Sequence, residues 1–332
     1  MAARNEQSAE ERLIARYFRP LAGHPGALGL ADDAAILTPP PGCDLVLTTD
    51  GVIAGVHFFP DDPSDTIGRK ALRMNLSDLA GKGAKPLGFL LSAALPAGVE
   101  EKWLADFAAG LGADAERYQC PLLGGDTDRT PGPTSISIAA FGAVPQGKMV
   151  RRSTAKVGDR IIVTGTIGDA ALGVLLHRDA GRAERLRLAQ PMREHLRQRY
   201  LLPQPRNALA DAVLEHASAA MDVSDGLAGD LAKLCRASGV AAEVDVTRVP
   251  LSEAARAVLA ADSALLEAVL TGGDDYEILL TLPAERLAVF CSAADSAGVA
   301  VSEIGRVVAG EGARFLRDGK TLEFERPSFS HF

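Results

Sequence analysis

Several short stretches of this chain gather carboxylates beside hydroxyls and glycines. They are Asp32-Asp33, Thr48-Thr49-Asp50, Asp78, Gly125-Asp126, Asp222 with Asp225, and, as a further possibility, Asp274-Asp275 with Glu277. Carboxylate and hydroxyl oxygens are hard ligands of the kind Mg²⁺ prefers. Most of the stretches follow a strand pattern or a glycine, and glycine lets the backbone approach a ligand closely. Any one Asp-Gly or Gly-Asp reads more plainly as a turn. The recurrence of the same setting along the chain is what points to a site. Mg²⁺ is normally held by one or two carboxylates, with water and substrate phosphates completing its shell. So many carboxylates imply several ions, and several Mg²⁺ ions imply a polyphosphate, with ATP the candidate substrate.

The common nucleotide motifs do not supply the site. Gly319-Lys320-Thr321 resembles the end of a P-loop, but Arg314 stands where the earlier glycine is required, and Asp318-Gly319 reads as a hairpin turn. No GxGxxG follows a strand. Gly165 to Gly168 is a weak candidate for a phosphate cradle. Of the six histidines only His57 lies in a motif-dense stretch, where it is either a site residue or a strand-end histidine. A site rich in metal ligands and poor in bases suits transfer to an acceptor that is itself a phosphate monoester. The second pKa of such a group is about 6, so its attacking oxygen is already ionised at neutral pH. The remaining barrier is repulsion between anions, which bound Mg²⁺ offsets while aligning an in-line transfer.

The elements that must hold these residues alternate between strand and helix periodicity, an α/β or α+β pattern with parallel or mixed sheets. Ser8 to Glu11 is a capping box for a first helix that Pro20 ends. Leu45 onward is a strand leading to Thr48-Thr49-Asp50. Thr66 to Gly81 is a helix whose C-terminal end carries Asp78, where the helix dipole disfavours a carboxylate and a positive neighbour is expected. Leu87–Leu95 and Ser135–Phe141 are strands, and Glu100–Tyr118 is an amphipathic helix with Trp103 in the core. A small basic cluster, Lys148, Arg151, Arg152 and Lys156, follows Gly147 and marks a domain boundary, giving domains 1–147 and 148–332. Beyond it, Arg160–Thr164, Ala241–Val246 and Ile278–Leu282 are strands. Asp169–Leu176, Pro205–Ala217 and Leu227–Ala237 are helices, the last capped by Ser224 or Asp225.

The chain has 332 residues, 47% hydrophobic and 23% charged, enough for two domains with real cores. Lys and Arg total 35 against 43 for Asp and Glu, a net charge of −8, so nothing favours a nucleic-acid backbone. Cys43, Cys120, Cys235 and Cys291 are scattered, which disfavours a disulfide framework or a zinc site. No apolar run approaches about 18 residues and the N-terminus lacks an apolar signal core, so a soluble cytoplasmic protein is expected.

Taken together the motifs resemble those of the thiamine-monophosphate kinase family, within the superfamily of aminoimidazole ribonucleotide synthetase and selenophosphate synthetase. The strings that carry the resemblance are ADDAAIL (31–37), LTTDGVIAGVHF (47–58), KALRMNLSDLAGKGA (70–84), LLGGDT (122–127), RRSTAKVGD (151–159), VTGTIGDAALG (163–173), MDVSDGLAGDL (221–231) and GGDDYEI (272–278), in family order over nearly the whole chain. The resemblance implies transfer of the ATP γ-phosphate to thiamine monophosphate, giving thiamine diphosphate. It implies an N-terminal mixed-sheet domain that pairs with a second subunit, a C-terminal α+β domain, and ATP between them. It also implies that Asp33, Thr48, Thr49, Asp50, Asp78, Asp126 and Asp222 hold Mg²⁺, with Asp225 on another ion. On the same resemblance Asp50, Asp78, Asp126 and Asp222 would carry the catalytic role. By the same resemblance Gly125, Asp126, Arg152 and Ser224 would contact the nucleotide, and His57, Asp274 and Phe329 would contact thiamine monophosphate.

Two departures stand out. Ala31 precedes Asp32 where the family has glycine, which strains the turn if it needs a positive φ. Asp274 replaces the family's glutamate, one methylene shorter. The rivals are a related enzyme using another phosphorylated acceptor, or a nucleotide-binding regulator that has lost transfer. A selenophosphate synthetase would need a reactive cysteine near the N-terminus, whereas Cys43 lies in a Pro-Gly loop. A purine-pathway synthetase would lack the GVHF and DYE strings.

Overall fold

The structure, a computed structural model, describes residues 8–179, 181–326 and 328. Two compact units divide the chain. The first takes the residues up to Leu76 and Pro86–Gln146; the second takes Ser77–Lys85 and the chain from Gly147 on. The units change over after Gln146 and also inside a helix, so Asp78 groups with the later unit and not the earlier.

In the first unit the capping box forms, with the Ser8 hydroxyl accepting from the Glu11 N–H, and starts α1 (Ala9–Leu13). The strand β1 (Cys43–Ile53), the helix α2 (Ser64–Gly81), β2 (Lys85–Pro96), α3 (Glu101–Arg117), β3 (Leu122–Thr130) and β4 (Ser135–Pro145) follow. The sheet order is β1-β4-β2-β3, with β1 antiparallel to β4 and β2 parallel to β3 across the α3 crossover. Arg73 of α2 and Asp114 of α3 are both buried and bonded twice, one contact being Nη2 to Oδ1 at 3.0 Å. Trp103 is half-buried and stacks on Phe107 with ring centroids 5.2 Å apart, rather than filling the core.

The second unit contains β5 (Arg160–Thr164), α4 (Asp169–Arg178), α5 (Arg182–Arg185), α6 (Gln190–Leu201), α7 (Ala210–His216), β6 (Ala219–Asp222), α8 (Leu227–Ser238) and β7 (Ala241–Asp245). After these come α9 (Glu253–Ala261), α10 (Leu266–Thr271), β8 (Ile278–Leu282), α11 (Leu287–Ser296), β9 (Val301–Val308), β10 (Gly312–Arg317) and β11 (Lys320–Thr321). The order is β11-β10-β7-β9-β5-β8-β6, mixed because β10 runs parallel to β7. Strand alternation sends Ile161, Val163 and Leu279 to one face with Leu231 and Leu234 of α8. Ile162, Ile278, Leu280 and Leu282 go to the other, with Val213 of α7 and Phe290 of α11. A sheet buried on both faces reads as continuous apolar runs, as β5 and β8 do. The Asp318-Gly319 hairpin is present, with φ of 51° and 74° at its two central residues.

Candidate functional site

In the first unit a cavity of about 780 Å³ takes in some of the candidates, Asp32, Asp33, Gly125 and Asp126, while Thr48, Thr49, Asp50 and His57 are not among its lining residues. Its walls are apolar, from Phe18, Leu45, Leu47, Leu91 and Phe141 among others, and Asp32, Asp33, Gly125 and Asp126 give it polar edges. Asp33 and Asp126 are exposed. Gly125 is required by close approach: a Cβ there would lie 1.8 Å from the Leu91 carbonyl oxygen. Ala31 has φ −110°, so the expected strain at that position is absent; the left-handed residues of this loop are Leu28, Gly29 and Leu30.

The three polar residues of β1 are divided by the pleat. Thr48 and Asp50 share a face with buried Val46 and Val52, while Thr49 shares the face of Leu45 and Leu47. The Thr49 hydroxyl donates to the Ile138 carbonyl at 3.1 Å. The Asp50 N–H, on the edge of the sheet, donates to Oδ1 of buried Asn75 at 3.1 Å, and Asn75 in turn donates to the Ala71 carbonyl. Asn75 therefore fixes the backbone that carries Asp50. His57 is held from both sides: its Nδ1 accepts from the Ile53 N–H at 3.1 Å, and its carbonyl accepts from Lys70 Nζ at 2.9 Å.

In the second unit Asp78 and Asp222 meet through a residue that the motif reading passed over, Lys82. Lys82 lies one turn after Asp78, and its Nζ donates to the Ala220 carbonyl at 2.8 Å, two residues before Asp222. Burial pulls the Lys82 pKa below its ordinary value, Asp222 and then Asp78 push it back up, and Arg152 adds to the lowering. Lys82 is the positive neighbour that the helix-end position of Asp78 called for. The i,i+4 spacing of Asp78 and Lys82 was the available signal.

Ser224 and Asp225 do not cap α8. Gly226 occupies the cap, and buried Asp230 reaches back to accept the Ser224 and Asp225 N–H groups at 3.0 and 2.9 Å. Burial raises the Asp230 pKa in spite of its bond to Lys233. Lys233 also pairs with Asp225, so any cation at Asp225 shares it with an ammonium group. The Ser224 carbonyl accepts from the Asp274 N–H at 2.9 Å, which brings these two candidates together. Asp274 has φ 74°. Aspartate tolerates that left-handed conformation better than most residues, a physical context for the shorter side chain here.

Asp275 and Glu277 prove to be internal. Glu277 accepts from Thr164 Oγ1 at 2.7 Å, from Arg199 at 2.8 Å and from Arg206 Nε at 2.6 Å. Asp275 Oδ2 accepts the Gly168 N–H at 2.7 Å, while its Oδ1 has no hydrogen-bond partner. Burial drives the Asp275 pKa well above the usual carboxylate value, against the Gly168 bond and Arg199 and aided by Asp169 and Glu277. The Gly165–Gly168 turn is thus filled by protein carboxylates, which corrects its reading as a phosphate cradle. Phe329 lies outside the described residues; Ser328 beside it donates to the Asp225 carbonyl at 3.4 Å.

The donor chemistry fits Mg²⁺: the exposed candidates are carboxylates and hydroxyls, with no thiol or imidazole cluster. Among the described residues no three His, Cys, Asp or Glu side chains form a ready-made metal nest. That is compatible with Mg²⁺, which takes few protein ligands and relies on water and phosphate for the rest. All four cysteines are free, and burial pushes Cys120 and Cys235 up to about 12 and about 11.

Residues 31–144 match the AIR synthase related protein N-terminal domain and residues 156–317 match its C-terminal domain. The fold is therefore the two-domain α/β architecture of that group. A thiamine-monophosphate kinase from Caulobacter vibrioides is 43% identical over 96% of this chain and 89% of its own length. The crystal structure of thiamine-monophosphate kinase from Stenotrophomonas maltophilia K279a superposes with a TM-score of 0.83, at 38% identity over 96% of this chain and 98% of that one. AaThiL complexed with AMPPCP and TMP superposes with a TM-score of 0.76, at 32% identity over 91% of each chain. The chain belongs to the thiamine-monophosphate kinase family, and is an enzyme of the phosphotransferase class.

Proposed function

We propose that this protein transfers the γ-phosphoryl group of ATP directly to thiamine monophosphate, releasing ADP and thiamine diphosphate. The observation that carries the reading is full-length family membership, with one relative solved together with AMPPCP and TMP. The proposed ligands are carboxylates and hydroxyls on strands and loops, not a base paired with a nucleophile, which suits an acceptor already ionised at neutral pH.

Asp33, Thr48, Thr49, Asp50 and Asp126 of the first unit, and Asp78 and Asp222 of the second, are the proposed Mg²⁺ ligands, with Asp225 on a further ion. Bound Mg²⁺ would neutralise charge on the phosphates and align an in-line transfer. Asn75 keeps Asp50 in place, and the close approach at Gly125 lets the backbone beside Asp126 lie flat against β2. Gly125, Asp126, Arg152 and Ser224 are assigned to the nucleotide; His57, Asp274 and Phe329 are assigned to the acceptor. A homodimer and a cytoplasmic location belong to the same proposal, and the exposed apolar side chains Ile36, Leu45 and Leu47 of the first unit support the homodimer.

The test is incubation with Mg-ATP and thiamine monophosphate, followed by chromatography. Thiamine diphosphate formed one-for-one with ADP is the expected result. ADP formed without thiamine diphosphate would point to another acceptor. Nucleotide binding without turnover would point to a regulator.

A further inference from the structure

Two left-handed residues flank Asp275: Asp274 at φ 74° and Tyr276 at φ 50°. Non-glycine residues persist in that region only where their surroundings over-determine them. Here the surroundings are explicit. The Asp274 N–H donates to the Ser224 carbonyl at 2.9 Å and the Tyr276 N–H to the Val223 carbonyl at 2.8 Å. The Val223 N–H donates back to the Glu277 carbonyl at 2.8 Å. Gly273 lies so close that a Cβ would sit 2.5 Å from the Ser224 carbonyl oxygen.

One side chain ties this backbone to the interior. Arg199, near the C-terminal end of α6, donates through Nη2 to the Asp275 main-chain carbonyl at 3.2 Å and to Glu277 Oε1 at 2.8 Å. Glu277 is itself fully buried and held by Thr164 and Arg206. The guanidinium therefore grips the middle of the strained segment and its buried anchor at once, a task that suits a rigid planar donor and not a flexible ammonium.

We propose that Arg199 is a positioning residue for the acceptor: by bridging Asp275 and Glu277 it holds the Asp274–Tyr276 segment in its left-handed form and so aims the Asp274 carboxylate. This rests on the assignment of Asp274 to the acceptor. It assigns a role in acceptor affinity to a side chain of α6 that lies 76 residues from the segment it controls.

The test is Arg199→Lys in the full chain, read in two ways. Steady-state kinetics should give a KM for thiamine monophosphate raised about tenfold while the KM for ATP stays within about twofold. Hydrogen exchange should show faster exchange at the Asp274 and Tyr276 amides, with those of Ile278–Leu282 unchanged. Unchanged exchange at Asp274 and Tyr276 would overturn the proposal. So would a parallel rise in both KM values with faster exchange throughout the second unit, the mark of a general structural brace. Should the parent enzyme show no turnover with thiamine monophosphate, the functional reading fails on its own, and the exchange measurement still decides whether Arg199 holds the segment. Glu277→Gln, which keeps side-chain size, is the second variant if Arg199→Lys does not fold.

Discussion

The acids at the cavity of the first unit and the paired acids of the second live in opposite surroundings, although buried Asp114 in the first is itself paired with Arg73. In the first, Asp33 and Asp126 are exposed at the edge of a cavity, on backbone shaped by glycine and by short turns. In the second, several acids are paired with protein cations, Asp225 and Asp230 with Lys233 and Glu277 with Arg199 and Arg206, and Asp78 and Asp222 lie in the field of Lys82. An exposed carboxylate is free to trade water for a metal ion at little desolvation cost. A buried one needs its partner at once, and losing that partner is costly. Within the proposed function this gives a division of labour: the exposed acids of the first unit take a cation at the least desolvation cost, and the paired acids of the second hold its loops rigid.

The largest effect that sharpens this contrast is on turnover. Asp50→Asn should lower kcat/KM by about a hundredfold or more if the proposed assignment of Asp50 to Mg²⁺ holds, with melting temperature nearly unchanged. Normal turnover in that variant would break the multi-ion assignment. In the second unit the same kind of change should read out as stability. Glu277→Ala leaves two guanidinium groups facing a hole and should cost about 3–5 kcal/mol by denaturant unfolding. A loss of activity with full stability would contradict its role as an internal anchor.

The smallest effect concerns Asp275. Its pKa is raised in the folded state, so it binds its proton more tightly there than in the unfolded chain. Above the unfolded carboxylate pKa of about 3.9, ionisation therefore favours unfolding, and folded stability falls as pH rises through that window. Asp275→Asn removes the penalty. The variant should melt at or above the parent temperature at neutral pH, with the gap closing toward about pH 4. A variant that melts lower at pH 7 and higher at pH 4 would show that the ionised carboxylate is the stabilising form.

What could be read from the chain in advance follows the same divide. The acidic motifs, the capping box at Ser8 and the hairpin at Asp318-Gly319 are local, since spacing and turn chemistry determine them within a few residues. The strands β5 and β8 were visible as apolar runs because both faces of their sheet are covered. The partners were not visible. Arg199 and Glu277 are 78 residues apart, and an Arg-rich helix reads as a solvated face until the fold turns one guanidinium inward. Ser224 and Asp225 have the chemistry of an α8 cap, yet the helix begins one residue later, so that Gly226 takes the cap position and Asp230 accepts the two N–H groups from within the helix. The Gly165–Gly168 turn looked open to phosphate for a similar reason: the carboxylate that fills it comes from Asp275, 107 residues away. Grouping of Asp78 with the second unit could not be inferred either, because nothing in the α2 sequence marks a boundary between Leu76 and Ser77.

The most direct test of the division of labour is the Mg²⁺ activation curve of Asp126→Asn, measured at saturating ATP and acceptor. Loss of one exposed carboxylate ligand should move half-activation to an Mg²⁺ concentration about tenfold or more above the parent's, with part of the rate recovered at high Mg²⁺. A curve with the parent's midpoint and only a lower plateau would mean that Asp126 does not hold the ion, and that the exposed acids of the first unit are not its binding site.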